Sequence, residues 1–217
     1  MWEKKSNWCD RATPPPPTLA RLVSICCVEY EHACGDGFMC RDMAVRVPLL
    51  VKVPGKPKAL GQVTSSYTDL VDIFPTLAAV AGLPVPEGVD GDDVSKVFDD
   101  PTAMVKTSAY HQYPACGMNT SQGLNVTRGQ CNSTPKNKFN YMGYSCRTPE
   151  WRYTLWVEWD DTKLQPKWDG ASAEELYDHK NDNSSSFDLW ENVNVATENP
   201  DAAQAMKAQL LGFFRKH

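Results

Sequence analysis

The clearest pattern in the chain lies between residues 151 and 159, where Tyr153, Leu155 and Val157 alternate with Arg152, Thr154, Trp156 and Glu158. A period of two sends successive side chains to opposite sides of a strand, so this segment predicts a β-strand with one face more apolar than the other. Residues 141–147, also rich in aromatics, join it through Thr148-Pro149-Glu150, and two such runs around a turn-like break predict a hairpin. Residues 45–53 (VRVPLLVKV) are apolar and β-branched and end at Pro54-Gly55, which predicts a buried strand running into a turn. From Thr68 to Leu83 the spacing changes. Leu70, Ile73, Phe74, Leu77, Val80 and Ala81 recur at helical intervals, with Thr68 or Asp69 placed to cap the start and Gly82 to stop it. Pro75 falls inside this pattern, where it should kink or restart the helix. Residues 108–113 and 174–178 read as short strands and 94–98 as a short apolar piece. Residues 200–214 read as an amphipathic helix, with Pro200 in its first turn and Ala202, Met206, Leu210 and Phe213 along one side.

Composition narrows the setting. At 217 residues the chain is long enough for one domain, or for a partial domain plus a small one. A net charge of −5 gives no basic surface for nucleic acid, and no apolar run approaches the roughly eighteen residues that span a bilayer. No signal peptide is expected in this chain, because residues 1–11 are polar and Pro14 to Pro17 follow directly. Four Asn-x-Ser/Thr sequons, at Asn119, Asn125, Asn132 and Asn183, nevertheless point to the secretory route and to glycosylation. Cys116 and Cys131 bracket the polar loop that holds most of these sequons. They read either as a disulfide, worth about 3 kcal/mol for a loop of this size, or as two unrelated thiols. Among the eight cysteines there is no Cys-x-x-Cys pair, which argues against a zinc site. Asp90-Gly91-Asp92-Asp93 has the look of a calcium loop but lacks the closing glutamate, so it reads as a solvated turn.

Several segments together resemble the sulfatase family of the alkaline-phosphatase superfamily. They are RVPLLVKVPG at 46–55, TDLVDIFPTLAAVAGL at 68–83, SAYHQYP at 108–114, YMGYSCRTPEWRYTLWV at 141–157 and ELYDHKND at 175–182. MWEKKSNW at 1–8 is similar to the family's Trp-x-Lys-x-Ser/Thr-Asn-Phe/Trp segment, whose continuation appears here only at DMAVRVP, beginning at Asp42. Removing residues 9–41 restores the family spacing between Lys4 and Arg46. That segment, with a tetraproline and a Cys-Cys pair, therefore reads as a non-native insertion of the kind translated non-coding sequence would give, and it is expected to be disordered. The domains implied are a remnant of the catalytic lysine motif at 1–8, the insertion at 9–41, the end of the catalytic domain at 42–107 and a C-terminal subdomain at 108–217.

The resemblance implies a sulfuric ester hydrolase of sulfated glycans such as glycosaminoglycans, a glycoprotein of the lysosome or secreted. Breaking a sulfate ester builds negative charge on the oxygens around sulfur, which calls for fixed cations, a divalent metal and an in-line nucleophile. In the family the nucleophile is a formylglycine made from the cysteine of Cys-x-Pro/Ala-x-Arg, and no cysteine of this sequence stands in that motif. The family's calcium ligands are likewise not matched, so calcium is implied for the complete enzyme and no metal ligand is assigned in this chain. Lys4 matches the family's sulfate-contacting lysine; its plain alternative is an exposed lysine beside Lys5. Arg147 and Arg152 lie on the strand pair that shapes the family's substrate side. They read either as contacts to a substrate carboxylate or as ion pairs with Glu150, Glu158 or Asp160. His111 and His179 read as structural.

The fold expected is α/β: the C-terminal part of a sulfatase sheet, then a small antiparallel sheet with a C-terminal helix. The chain is expected to be incomplete and inactive alone, its partners being the sulfated glycan and the missing N-terminal half of the same protein. Two other readings stand beside this one: a non-catalytic glycan-binding or scaffold module, and a phosphodiester or phosphonate hydrolase of the same superfamily.

Overall fold

A computed structural model describes residues 24–27, 40–115, 131, 134–182 and 190–215. Its larger part is a four-stranded antiparallel sheet in which spatial order follows chain order: β3 (Ala109–Ala115), β4 (Tyr141–Arg147), β5 (Trp151–Asp160) and β6 (Gln165–Asp178). The hairpin expected between β4 and β5 is present, with Arg147 opposite Arg152 and Tyr141 opposite Glu158. The strand expected at 174–178 is longer, because β6 already pairs with β5 from Gln165.

Helix α3 (Pro200–Phe214) starts with Pro200 in its first turn, where the missing N–H has no partner to lose. It buries Ala203, Met206 and Leu210 against Tyr144, Cys146, Tyr153, Leu155 and Leu176, the sheet's apolar face. Near its C-terminal end Phe213 stacks on Tyr110, ring centroids 3.9 Å apart, and Phe214 meets Tyr144 edge-on at 4.7 Å. The α/β class, with a small antiparallel sheet carrying the C-terminal helix, is thus what the sequence led us to expect.

Residues 42–107 are built more thinly. A helical turn, α1 (Asp42–Val45), precedes strand β2 (Leu49–Lys52). The strand expected over 45–53 is therefore shorter, since Val45 closes the turn and Pro48, with no N–H to offer a ladder, stands just before Leu49. β2 pairs antiparallel with β1 (Ser24–Cys27), Ile25 lying opposite Val51. β1 falls inside the segment expected to be disordered; four of its residues instead form a strand, laid along an edge whose backbone N–H and C=O groups want partners. The described part of the chain has no helix long and apolar enough to cross a membrane.

Helix α2 (Ile73–Ala81) shows how Pro75 is accommodated. A 3-10 turn at Leu70–Asp72 leads in, so Pro75 sits in the first turn of the α-helix and neither kinks nor breaks it. Asp69, rather than Thr68, supplies the cap; in the capping box the Asp72 carboxylate accepts from the Asp69 N–H at 2.7 Å. Gly82 ends the helix with φ +70°, the left-handed conformation expected of it. Lys106 ties this entry turn to the start of β3, its Nζ lying 2.7 Å from Asp69 Oδ2 and 2.9 Å from Asp72 Oδ2. The apolar piece at 94–98 forms a 3-10 turn that buries Val97 and Phe98 beside Val53.

The Asp90–Asp93 stretch lies against that entry turn. The Asp92 N–H donates to Asp72 Oδ1 at 2.8 Å, and a Cβ on Gly91 would come within 2.1 Å of the Val71 carbonyl oxygen. Gly91 is needed for close backbone approach. Gly91→Ala is expected to destabilise the protein by about 1–3 kcal/mol, read as a lower urea midpoint at unchanged slope.

Candidate buried charge cluster

The second face of the four-stranded sheet is polar, yet it is buried. Register places Arg147 of β4 beside Arg152 of β5 and Tyr177 of β6, with Ser145, Thr154 and Glu175 forming the next row. Arg152 is only 1% exposed, and Ser145 and Thr154 are fully buried. Burial of a guanidinium demands counter-charges, because an unpaired ion in a low-dielectric interior is costly. These come from three distant segments: Asp42 at the first turn of α1, His179 and Asp182 just after β6, and Glu191 ahead of α3.

Arg152 is paired at every nitrogen, whereas Arg147 Nε has no hydrogen-bond partner among the described residues and faces Asp42 Oδ1 at 3.6 Å. Arg152 Nη2 pairs with Asp42 Oδ1, its Nε pairs with Glu191 Oε1, and Nη1 donates to Ser145 Oγ at 3.3 Å. The other oxygen of Glu191 accepts from the Asp42 backbone N–H at 2.7 Å, so one glutamate grips both the arginine and the start of α1. Arg147 Nη2 lies 2.8 Å from His179 Nδ1 and 3.3 Å from Asp182 Oδ2, while its Nη1 donates to the Thr148 carbonyl. His179 Nε2 is 3.0 Å from Glu191 Oε1. A proton on Nε2 satisfies that contact, while Nδ1 faces both the Arg147 guanidinium, which calls for an acceptor, and Asp182 Oδ2 at 3.0 Å, which calls for a donor. Burial pushes the Asp42 carboxyl up, but the guanidiniums of Arg152 and Arg147 outweigh it and hold Asp42 below the usual carboxylate range.

Around this core the contacts continue. Arg41 Nη2 donates to the Tyr177 hydroxyl at 2.9 Å, and that hydroxyl donates to Glu175 Oε2 at 2.7 Å. His111 on β3 has no hydrogen-bond partner for Nε2 among the described residues. Burial, aided by Arg152, pushes its pKa from 6.5 down to about 3, so the ring is neutral. Cys40 and Cys146 are free and buried, and burial pushes both thiols up to about 12, which makes them poor nucleophiles.

The structure therefore brings Arg147 and Arg152 together, but their partners are Asp42, Asp182 and Glu191, in place of the expected Glu150, Glu158 or Asp160. Lys4, the sequon residues Asn119, Asn125, Asn132 and Asn183, and Cys116 lie outside the described residues. Cys131 is buried and disulfide-bonded. The sequence reading did not find Asp42, Asp182 and Glu191 as members of a site. Asp42 and Asp182 belong to quoted segments, DMAVRVP and ELYDHKND, which was the one signal available.

Asp42, His179 and Asp182 together offer donor atoms all within 4.8 Å of one another, a set that can hold a metal ion. The set does not suit calcium. That ion takes six to eight oxygen ligands, whereas here one of three donors is an imidazole nitrogen, and the Arg147 guanidinium already contacts both His179 Nδ1 and Asp182 Oδ2, which are themselves 3.0 Å apart. The cations that this cluster accommodates in the structure are its two arginines.

Comparison with known proteins agrees with the fold. No family model matches the chain. Iduronate 2-sulfatase of Mus musculus is 28% identical over 182 residues, covering 63% of this chain and 31% of that protein. Arylsulfatase K of Mus musculus is 29% identical over 170 residues, covering 78% of this chain and 25% of that protein. A solved Bacteroides thetaiotaomicron structure described as a sulfatase superposes with a TM-score of 0.50 at 19% identity, over 78% of this chain and 30% of the other. The chain thus spans less than a third of the length of these relatives. Homology and fold together support a protein of the sulfatase and alkaline-phosphatase superfamily, with no single member favoured.

Proposed function

We propose that this chain is the C-terminal portion of a sulfuric ester hydrolase of sulfated glycans, most like iduronate 2-sulfatase, and that it does not hydrolyse sulfate esters by itself. The observation that carries the proposal is partial similarity: the chain aligns with iduronate 2-sulfatase over 63% of its own length but only 31% of that enzyme. Attack on sulfur needs a nucleophile, and the sequence places no cysteine in Cys-x-Pro/Ala-x-Arg. Both free cysteines of the described structure are buried thiols with raised pKa values, unsuited to the task.

In this reading Lys4 is the chain's contribution to sulfate binding, a fixed cation for the charge that grows on the oxygens. Calcium would be held by residues of the complete enzyme outside the cluster described above. The geometry supports a positioning role for Arg147 and Arg152: they clasp the Asp42 segment, which follows the lysine motif in the family, to the C-terminal sheet. A substrate carboxylate would have to compete there with Asp42, Asp182 and Glu191. We place the protein in the lysosome or outside the cell, with glycans at Asn119, Asn125, Asn132 and Asn183 and a Cys116–Cys131 disulfide closing the sequon-rich loop.

Two measurements test this. Purified residues 1–217 with calcium and an aryl sulfate are expected to show no turnover above buffer, and turnover would overturn the incompleteness. Sequencing the native transcript upstream of the Met1 codon is expected to reveal a frame encoding Cys-x-Pro/Ala-x-Arg. A serine or threonine at that cysteine would move the substrate from sulfate to phosphorus esters, and the absence of such a frame would remove the hydrolase assignment.

A further inference from the structure

Asp42, His179 and Asp182 are the one set of metal-type donors among the described residues, and all three side chains are buried. Two features of the set go beyond proximity. His179 Nε2 is engaged by Glu191 Oε1 at 3.0 Å, and a carboxylate on the far nitrogen is the usual partner of an imidazole that ligates a metal through the near one. The near nitrogen, Nδ1, stands 3.0 Å from Asp182 Oδ2. With the proton on Nε2, that contact sets a lone pair against a carboxylate oxygen, which is unfavourable unless a cation joins the two. Two ligands about 2.0–2.1 Å from one ion, at octahedral or tetrahedral angles, stand about 2.9–3.4 Å apart.

The cation that joins them here is Arg147. Its Nη2 lies 2.8 Å from His179 Nδ1 and 3.3 Å from Asp182 Oδ2, and its Nε faces Asp42 Oδ1 at 3.6 Å. One guanidinium thus addresses all three donor groups. It fits them imperfectly. Arg147 is only 8% exposed, yet its buried Nε makes no hydrogen bond among the described residues, and a buried donor left unpaired is costly. A planar fork matches the two oxygens of one carboxylate; here it meets single atoms brought by different segments. Its place is fixed by the strand, since Arg147 closes β4 opposite Arg152 and its Nη1 is held by the Thr148 carbonyl.

We infer that Arg147 is the built-in cation of a three-donor site which, once the guanidinium is removed, takes a borderline divalent transition metal ion such as cobalt or zinc. One imidazole nitrogen with two carboxylate groups suits ions of that kind, whereas it leaves calcium short of oxygens. The guanidinium and the ion exclude each other, because both need the same atoms and two cations at that separation repel. The chain as it stands therefore keeps this cluster closed without metal. The inference does not depend on the sulfatase reading.

The test is titration of purified residues 1–217 with cobalt(II), followed by visible absorption and by the urea midpoint. The unsubstituted chain and its His179→Gln variant are expected to give the same spectrum and no shift in midpoint. Arg147→Ala is expected to bind cobalt about tenfold or more tightly than the unsubstituted chain, and its midpoint should rise with cobalt because the ion holds only the folded site. Adding His179→Gln to Arg147→Ala should lose that binding by about tenfold or more. Arg147→Gln keeps most of the side-chain volume without the charge; it is expected to behave as Arg147→Ala does and carries the test if the smaller residue prevents folding. Cobalt bound through His179 in the unsubstituted chain overturns the inference. So does a folded Arg147 variant that binds none, binding that survives His179→Gln or shows a near-ultraviolet thiolate band, or failure of both Arg147 variants to fold with cobalt present.

Discussion

Arg152→Met is expected to cost about 3–5 kcal/mol of stability, because it strands two carboxylates, Asp42 and Glu191, in a buried site with their principal cation gone. Methionine fills much of the same space, so the loss reports charge more than volume. The expected measurement is urea unfolding followed by tryptophan fluorescence, with a lower midpoint and little change in slope. Removing charge on both sides should hurt less: Arg152→Met with Glu191→Met is expected to recover part of the loss, since one uncompensated carboxylate disappears with its partner. A loss below about 1 kcal/mol for the single substitution would place this network with weakly contributing surface pairs.

Acid is expected to weaken the fold through the same face. The folded pKa of His111 lies near 3 against 6.5 for the free side chain. Between these values the unfolded chain binds a proton that the native ring does not, so stability is whole above pH 6.5 and falls as pH drops towards 3. The full window is worth on the order of 3–5 kcal/mol. Asp42 adds to the trend at lower pH. Its folded pKa is depressed below 3.8, so its contribution is whole above that value and is lost as pH falls through the folded one. Unfolding free energies measured at pH 7, 5.5 and 4 should therefore decline steadily. His111→Gln, which has no proton to gain, should flatten the slope between pH 6.5 and 4. Parallel slopes for the two proteins would show that His111 is not the group responsible. For a chain proposed to work in a lysosome, this loss falls inside the working range.

How much of this was legible beforehand depended on distance along the chain. Helix α3, the β4–β5 hairpin and the glycine stop of α2 were readable because each is specified by a few neighbouring residues. Pro75 was expected to kink or restart the helix; the 3-10 lead-in, absent from any periodicity rule, instead places it in the first turn of α2, where it does not kink the helix. The apolar side of β5 was also correct. Its other side was not: alternation shows that Arg152 and Thr154 share a face, but it does not show that the face is sealed. The residues that seal it, Asp42 and Glu191, stand 110 and 39 positions from Arg152. Local charge pairing suggested Glu150 and Glu158 instead, the nearest carboxylates, because sequence proximity was the sole guide. Gly91 was assigned to a turn when its real constraint is the Val71 carbonyl, again a tertiary contact.

The order of strands in the sheet has a kinetic consequence. β4, β5 and β6 are each joined to the next by a tight reversal, so they can zip as successive hairpins with little chain entropy lost at each step, and α3 then lands on a surface already made. The ionic clasp, by contrast, must bring Asp42 back across 110 residues to Arg152. Refolding should accordingly proceed in two beats, a quick gathering of the tail and a slower capture of the segment around residue 42.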